Sequence, residues 1–389
     1  MAADLVGARP GPAAPPLDRA TASTLDGAFE LLGDLVAQGY VPGAVAAVGT
    51  AAGTLRRAHF GFAELTPERR PMTADALFDL ASLTKVIAGA SVALRLVERG
   101  DLFLNQPVGA VLPAFATLGR EEVTLRHLLA HTSGLSSPVS GWRDAFHRGE
   151  TRSAPIWDLI ARLPRRYAVG GTVLYSDIGY FTAGAFLAAA TGTPLDVLAR
   201  REVFEPLGMG DTTFCPAGDL EARAVSTEVV PGRGGAVRGT VHDEMAAAAG
   251  GVAGHAGLFS TGRDLERFCR AWLRRGDLDG VRFLSPATVA AATRDQTSQG
   301  CDPAGRPTRH GLGWMLQPHP RWLGAELCSP AAYSHTGFTG TSLLVDPVYG
   351  VWVVLLTNRV HPSRAGASLK RVTALRARFH NAVLAALSA

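Results

Sequence analysis

The stretch Leu80-Ala81-Ser82-Leu83-Thr84-Lys85 decides how the rest of the chain reads. It opens a run from Ser82 to Glu98 in which Val86, Ala90, Ala93, Leu94 and Val97 recur at helical spacing, with Gly100 as the expected stop. On a helix, positions i and i+3 are neighbours, so the Lys85 amine reaches the Ser82 hydroxyl. A serine hydroxyl is a poor nucleophile until a base takes its proton, and a lysine whose pKa is lowered by burial can be that base. Arginine cannot, because it does not give up its proton. At the N-terminal end of this helix, the Ser82 N–H also faces any oxyanion that develops there.

Composition gives Lys85 its weight. The chain carries 38 Lys plus Arg, and only Lys85 and Lys370 are lysines. Where arginine has displaced lysine almost throughout, a surviving lysine points to chemistry that needs a dissociable proton. Ala367 precedes Lys370 by three residues, so S-x-x-K occurs once, at Ser82 to Lys85. The plain alternative is an exposed lysine on an ordinary helix, and motifs further along decide between the two.

Tyr175-Ser176-Asp177 follows a Gly170-Gly171 turn and precedes a helix. His335-Thr336-Gly337 stands just before a strand expected from Thr341. With S-x-x-K these segments come in the order Ser82/Lys85, Tyr175/Asp177, His335/Gly337. In that order the sequence resembles the serine β-lactamase and penicillin-binding-protein superfamily, nearest to the class C β-lactamase-related esterases and transacylases. Further phrases carry the likeness: Leu125-Arg126-His127-Leu128-Leu129 running on to His131-Thr132-Ser133-Gly134-Leu135, Pro206-Leu207-Gly208-Met209, Gly254 to Ser260, and Leu355-Leu356-Thr357-Asn358. The likeness covers the chain from about Leu25 onward.

The resemblance implies a β-lactamase/transpeptidase-like fold and a role for each matched residue. Ser82 would be the nucleophile. Lys85 would share a proton network with Tyr175, which acts as general base toward Ser82 and then as acid toward the leaving group. The backbone N–H groups of Ser82 and Phe338 would form the oxyanion hole. Asp177, His335, Thr336 and Gly337 would line the substrate side. The reaction implied is acyl transfer through an acyl-Ser82 ester, without metal or organic cofactor.

Two residues depart from the family pattern. Asp177 stands where Asn is usual. A carboxylate cannot donate to a substrate carbonyl, and it holds Lys85 in its charged form, which shifts deprotonation toward Tyr175. His335 replaces the Lys of K-T-G, and a neutral imidazole anchors a substrate carboxylate less well. Both push away from β-lactamase and D-Ala-D-Ala peptidase activity, toward esters or other acyl donors attacked by water, an alcohol or an amine. A β-lactamase or D-Ala-D-Ala peptidase stays as one alternative and a non-catalytic binding relative as another; the joint presence of Ser82, Lys85 and Tyr175 argues against the second.

The rest of the chain sets the frame. Helical patterning at Thr24 to Ala37, strands at Ala44 to Val48 and Ala58 to Ala63, and the Ser82 helix form a first block. Residues 101–257 read as an inserted helical lobe, with helices at Thr124 to Ala130, Ala154 to Leu163, Gly179 to Thr191 and Pro194 to Glu205. Helices at Ser260 to Arg275 and Ser285 to Arg294 follow. Strands at Gly311 to Leu316, Thr341 to Val345 and Val351 to Thr357 come next, then a helix from Leu369 to Leu387. The expectation is an α+β chain: an antiparallel sheet flanked by helices, formed by residues 23–100 and 258–389, with the helical lobe between them and a disordered lead-in over residues 1–22.

With 47% hydrophobic and 19% charged residues the chain reads as a packed enzyme. Its net charge of +4 comes from scattered arginines, with no basic run, so nucleic acid is not an expected partner. The uncharged stretch Val36 to Leu55 is interrupted by Gly and Pro, and no membrane span is expected. No secretory signal is read at the N-terminus, and the dispersed Cys215, Cys269, Cys301 and Cys328 read as free thiols; a cytoplasmic location is the expectation. His242-Asp243-Glu244 with His255 matches no common zinc spacing and reads as a loop wall near the cleft. His131 reads as a buried structural histidine. Trp142, Phe146 and Trp157 are candidates for the pocket or the core, and Asn358 and Arg359 for the rim of the site.

Overall fold

A computed structural model of the protein describes residues 17–135, 160, 162–230, 235–298, 300–320, 322, 325–366 and 368–387. The expected lead-in, most of the 154–163 helix, and Trp142, Phe146 and Trp157 lie outside these residues.

The frame is an eight-stranded antiparallel sheet. Its strands are β1 (Gly43–Thr50), β2 (Thr54–Glu64), β3 (Arg70–Pro71), β4 (Arg309–His310), β5 (Met315–Leu316), β6 (Tyr333–Thr336), β7 (Ser342–Asp346) and β8 (Val351–Thr357), in the order β4-β5-β6-β7-β8-β1-β2-β3. β8 is buried at every position, as its Val-Trp-Val-Val-Leu-Leu run requires of a strand covered on both faces. It pairs with β1 from Ala44 opposite Thr357 to Thr50 opposite Val351, so the first and last strands of the sequence meet mid-sheet.

Two apolar layers cover the sheet. On one face lie α1 (Arg19–Ala37) and the C-terminal helix α5 (Ser368–Leu387), joined by an edge contact of Phe29 with Phe379 at 5.4 Å. The other face carries α4 (Gly262–Leu273), whose Phe268 stacks on Trp314 and whose Trp272 meets the same ring edge-on. Behind that layer sit α2 (Ser91–Glu98) and α3 (Asp177–Thr191) of the expected helical lobe. α3 starts where expected for a capped helix: the Ser176 side chain accepts from the Gly179 N–H, and Gly192 ends it in the left-handed region. Among the described residues no single helix is long and apolar enough to cross a membrane.

Three local expectations change. The segment after Ser82 is not an α-helix from its start, because residues Lys85–Ala90 form a π-helical turn before α2. Such a turn replaces i→i−4 bonds by i→i−5 bonds and is common at functional sites. His335-Thr336-Gly337 does stand before the expected strand, β7, which starts at Ser342, but His335-Thr336 also ends a strand of its own, β6, which pairs with β7 (His335 opposite Leu343). The strand expected over Gly311 to Leu316 shortens to Met315–Leu316, because Gly311 to Trp314 carry a turn in which Gly311 N–H donates to Trp314 O at 2.9 Å.

Candidate active site

Ser82 is presented by a tight, strained approach. Ala81, just before it, has φ +47°, a conformation that costs a non-glycine residue about 1–2 kcal/mol. Its N–H donates to Asp79 Oδ1 at 2.8 Å. Asp79 is fully buried, and its other oxygen accepts from the His242 N–H at 2.7 Å. Burial raises the Asp79 pKa, and the two N–H bonds oppose that rise.

The residues after β6 dock on this same segment. Thr339 Oγ1 donates to Asp79 O at 2.7 Å and Thr341 Oγ1 to Leu80 O at 3.1 Å. Gly337 packs so closely that a Cβ there would stand 2.1 Å from Thr341 Oγ1 and 2.4 Å from Leu80 O. The glycine of H-T-G is therefore required by the approach of two backbones.

Lys85 is fully buried on the π-helical turn. Its Nζ donates to Ser82 Oγ at 3.0 Å, to Asp177 Oδ1 at 2.6 Å and to the His255 carbonyl at 3.1 Å. Tyr175 is a further side-chain hydrogen-bonding neighbour of the same ammonium. Nζ also lies 5.0 Å from the Tyr175 ring centre. Burial alone would push the ammonium pKa down, but the Asp177 carboxylate and the Tyr175 side chain outweigh it and hold the pKa above the ordinary lysine value. The expectation of a lysine whose pKa burial lowers is corrected in direction, and Asp177 holds the charged form as its carboxylate chemistry requires.

Tyr175 is held from behind. His131 stacks on its ring at 4.5 Å, and His131 Nδ1 accepts the Ser176 N–H at 3.0 Å, so the other ring nitrogen carries the proton in the neutral form. His131 is buried, as expected of a structural histidine, and itself has positive φ (+59°). His335 is fully buried with its ring 6.2 Å from that of Tyr175. Behind these, His310 lies 4.7 Å from His131, and His310 Nε2 and His319 Nε2 stand 2.8 Å apart. Burial, then the neighbouring His319, His131 and His335, keeps His310 well below the usual imidazole range.

Ser82, Tyr175, Asp177, Thr336, Gly337 and Phe338 all line one cleft of about 1080 Å³. Within the described residues the Ser82 and Phe338 N–H groups donate to no protein acceptor, whereas the intervening Gly337 N–H is used by Thr341 O at 2.7 Å. Two unused donors on the wall beside a serine hydroxyl are what an oxyanion site requires. Phe338 is 47% exposed, its ring carrying Arg359 at 4.4 Å on one side and stacking with His242 at 5.9 Å.

The His242-Asp243-Glu244 segment does line the cleft. Asp243 Oδ1 accepts from the Ala246 N–H and pairs with His255 Nε2, each at 2.8 Å. His242 Nε2 pairs with Glu228 at 3.1 Å, and Arg364 bridges Glu228 and Glu244. Burial works against the Glu228 charge, but His242 and Arg364 prevail and lower its pKa to about 2. Asn358 ties β1 to β2, accepting from Gly43 N–H at 3.0 Å and donating to Phe62 O and Ala63 O at 3.2 Å, while Arg359 does reach the cleft. Sequence reading missed Asp79, the His255 carbonyl and Arg376 as parts of the site. Their contributions run through backbone groups, which leave no side-chain pattern.

The antiparallel sheet and its helical layers form the β-lactamase/transpeptidase-like fold, and the family match below places the chain among serine hydrolases and acyltransferases. The family described as Beta-lactamase matches residues 29–378, and the chain belongs to it. An N-acetylmuramyl-L-alanine amidase of Bacillus subtilis (strain 168) is 30% identical over 357 residues, covering 84% of this chain and 79% of the relative. A protein of Escherichia coli (strain K12), described provisionally as a D-alanyl-D-alanine carboxypeptidase, is 30% identical over 318 residues, 74% of this chain and 70% of its own. The solved structure of EstCE1, a hydrolase with promiscuous acyltransferase activity, superposes with a TM-score of 0.70 at 20% identity, covering 92% of this chain and 99% of EstCE1.

Proposed function

We propose that the protein is an S-x-x-K serine acyl-transfer enzyme of the class C-related type, an intracellular esterase or transacylase acting on a small ester or amide. The observation that carries this reading is the Lys85 contact with Ser82 Oγ at 3.0 Å beside the two unused N–H donors of Ser82 and Phe338. Tyr175 takes the Ser82 proton as Oγ attacks the substrate carbonyl. The oxyanion is held by the Ser82 and Phe338 N–H groups. Tyr175 then returns the proton to the leaving alcohol or amine, and an acyl-Ser82 ester remains. Water, an alcohol or an amine attacks that ester by the reverse sequence. Lys85, kept charged by Asp177, stabilises the tyrosinate and orients Ser82 rather than serving as the base itself. Small-molecule donors and acceptors suit a cleft of this volume.

The test is intact mass after incubation with an activated ester. Addition of one acyl group, lost in Ser82→Ala, is the expected result; an unlabelled wild type would sink the reading. A second reading, action on cell-wall peptides, draws support from the names of the Bacillus and Escherichia relatives. It requires labelling of Ser82 by a fluorescent penicillin, which the ester reading does not.

A further inference from the structure

The two oxyanion N–H groups each belong to a peptide whose carbonyl is bound from behind. In a trans peptide the C=O and N–H point in opposite directions, so a donor on the carbonyl sits on the far side from the site. The Ala81 carbonyl, which shares its peptide with the Ser82 N–H, accepts from Thr84 N–H at 3.0 Å and Thr84 Oγ1 at 2.7 Å. The Gly337 carbonyl, which shares its peptide with the Phe338 N–H, accepts from Gly340 N–H at 3.1 Å and from Arg376 Nη2 at 3.3 Å. The same Nη2 donates to Thr341 O at 2.7 Å. Arg376 reaches this turn from α5.

Arg376 is an unusual residue for that place. It is 6% exposed and makes no ion pair among the described residues, and its Nε has no hydrogen-bond partner. A buried cation without a carboxylate is costly to keep unless its charge is used. Burial, then the nearby Arg359, lowers its pKa to about 9, which still leaves it charged at neutral pH. Among the described residues its side-chain hydrogen bonds go only to the Gly337 and Thr341 carbonyls at the two ends of the turn after β6. Hydrogen bonds in series polarise one another, and in a low-dielectric interior a cation on a carbonyl strengthens the N–H at the other end of the same peptide.

We propose that Arg376 is a positioning residue for the oxyanion hole, acting through the Gly337–Phe338 peptide to strengthen the Phe338 N–H toward the developing negative charge. The inference rests on the acyl-Ser82 reading above and adds to it the source of the field on one of its two donors.

The experiment compares wild type with Arg376→Lys, which keeps a cation, Arg376→Gln, which keeps a donor without charge, and Arg376→Met, which keeps neither. Each is first shown to be folded by its thermal transition. Two quantities are read: the rate at which a neutral activated ester acylates Ser82, and the affinity for phenylboronic acid, whose Ser82 adduct places an oxygen in the oxyanion site. The expected result is that Gln and Met lose about tenfold in both with KM nearly unchanged, and that Lys recovers most of the loss. That is smaller than the ~10²–10³ lost when an oxyanion donor itself is removed. If Met does not fold, the Gln-against-Lys comparison decides alone. A folded Gln variant with wild-type acylation and boronate affinity would overturn the proposal. So would a change in KM confined to carboxylate-bearing substrates, which would make Arg376 a direct anion contact. An unlabelled wild-type Ser82 fails the function reading itself, whereas normal labelling in every variant fails this inference only.

Discussion

Lys85 Nζ lies closer to Asp177 Oδ1, at 2.6 Å, than to Ser82 Oγ, at 3.0 Å. The lysine is thus bound first to a carboxylate and only second to the hydroxyl it serves. A charge-assisted bond of that length favours the ammonium form, which is why the function proposed above gives proton abstraction to Tyr175 as its phenolate.

Tyr175→Phe removes that phenol and keeps the ring that stacks on His131 at 4.5 Å. Folding should be unaffected, while the acylation rate of Ser82 falls about 10²-fold or more, the range for loss of a general base. Stopped-flow release of a chromogenic leaving group measures it. A variant acylating at the wild-type rate would remove Tyr175 from the mechanism.

Asp177→Asn removes the charge that holds the Lys85 pKa up. With the carboxylate gone, burial dominates and the lysine pKa falls, so the ammonium that the proposed mechanism needs is lost at lower pH and the alkaline limb of the pH–rate profile for acylation should move down. The new amide also supplies a donor, and activity toward acylamino substrates should rise relative to simple esters. Unchanged profile and unchanged preference would together show that Asp177 governs neither.

Gly337→Ala places a methyl 2.1 Å from Thr341 Oγ1 and 2.4 Å from Leu80 O. The Thr341 side chain and the Leu80 or Gly337 backbone must shift, at about 1–3 kcal/mol by analogy with overpacked cores. The melting temperature should drop, and acylation should fall by more than the stability loss explains, because the Phe338 N–H moves with the turn. A variant equal to wild type in both would mean that the turn yields without cost.

Glu228 carries the pH signature of the cleft wall. Its pKa is depressed to about 2 from an ordinary value of 4.5 by His242 and Arg364, against the opposing effect of burial. A depressed carboxylate contributes stability above its unfolded pKa and loses it as pH falls through the folded one. Melting temperature should therefore decline between about pH 4.5 and pH 2. Glu228→Gln should start lower at neutral pH and show a shallower decline, and parallel curves for the two proteins would refute the assignment.

The nucleophile segment, the tyrosine motif and the H-T-G turn were legible because their chemistry depends on side chains at short fixed spacings. The long helices and the buried β8 were legible from periodicity and from an unbroken apolar run. What the sequence hid has physical reasons. A π-helical turn at Lys85–Ala90 differs from an α-helix by one residue in its hydrogen bonding, and the side-chain pattern hardly registers it. The strand status of His335-Thr336 depends on pairing with Leu343 and Ser342, a tertiary contact. The convergence of Asp79, His242 and Thr339 depends on backbone groups far apart in sequence, and so does the reach of Arg376 to Gly337.

The place of β8 in the sheet also sets when the enzyme can first work. β1, which leads toward Ser82, takes its partner on one side from residues 351–357, and the Phe338 N–H comes from the turn between β6 and β7. A ribosome-bound chain that has not yet reached residue 330 would have Ser82, Lys85 and Tyr175 but neither the Phe338 N–H proposed above as the second oxyanion donor nor β8, the strand that pairs with β1. On the proposed function, the serine is made early and completed late, because the Phe338 turn and the β8 strand that pairs with β1 are both contributed by residues 338–357.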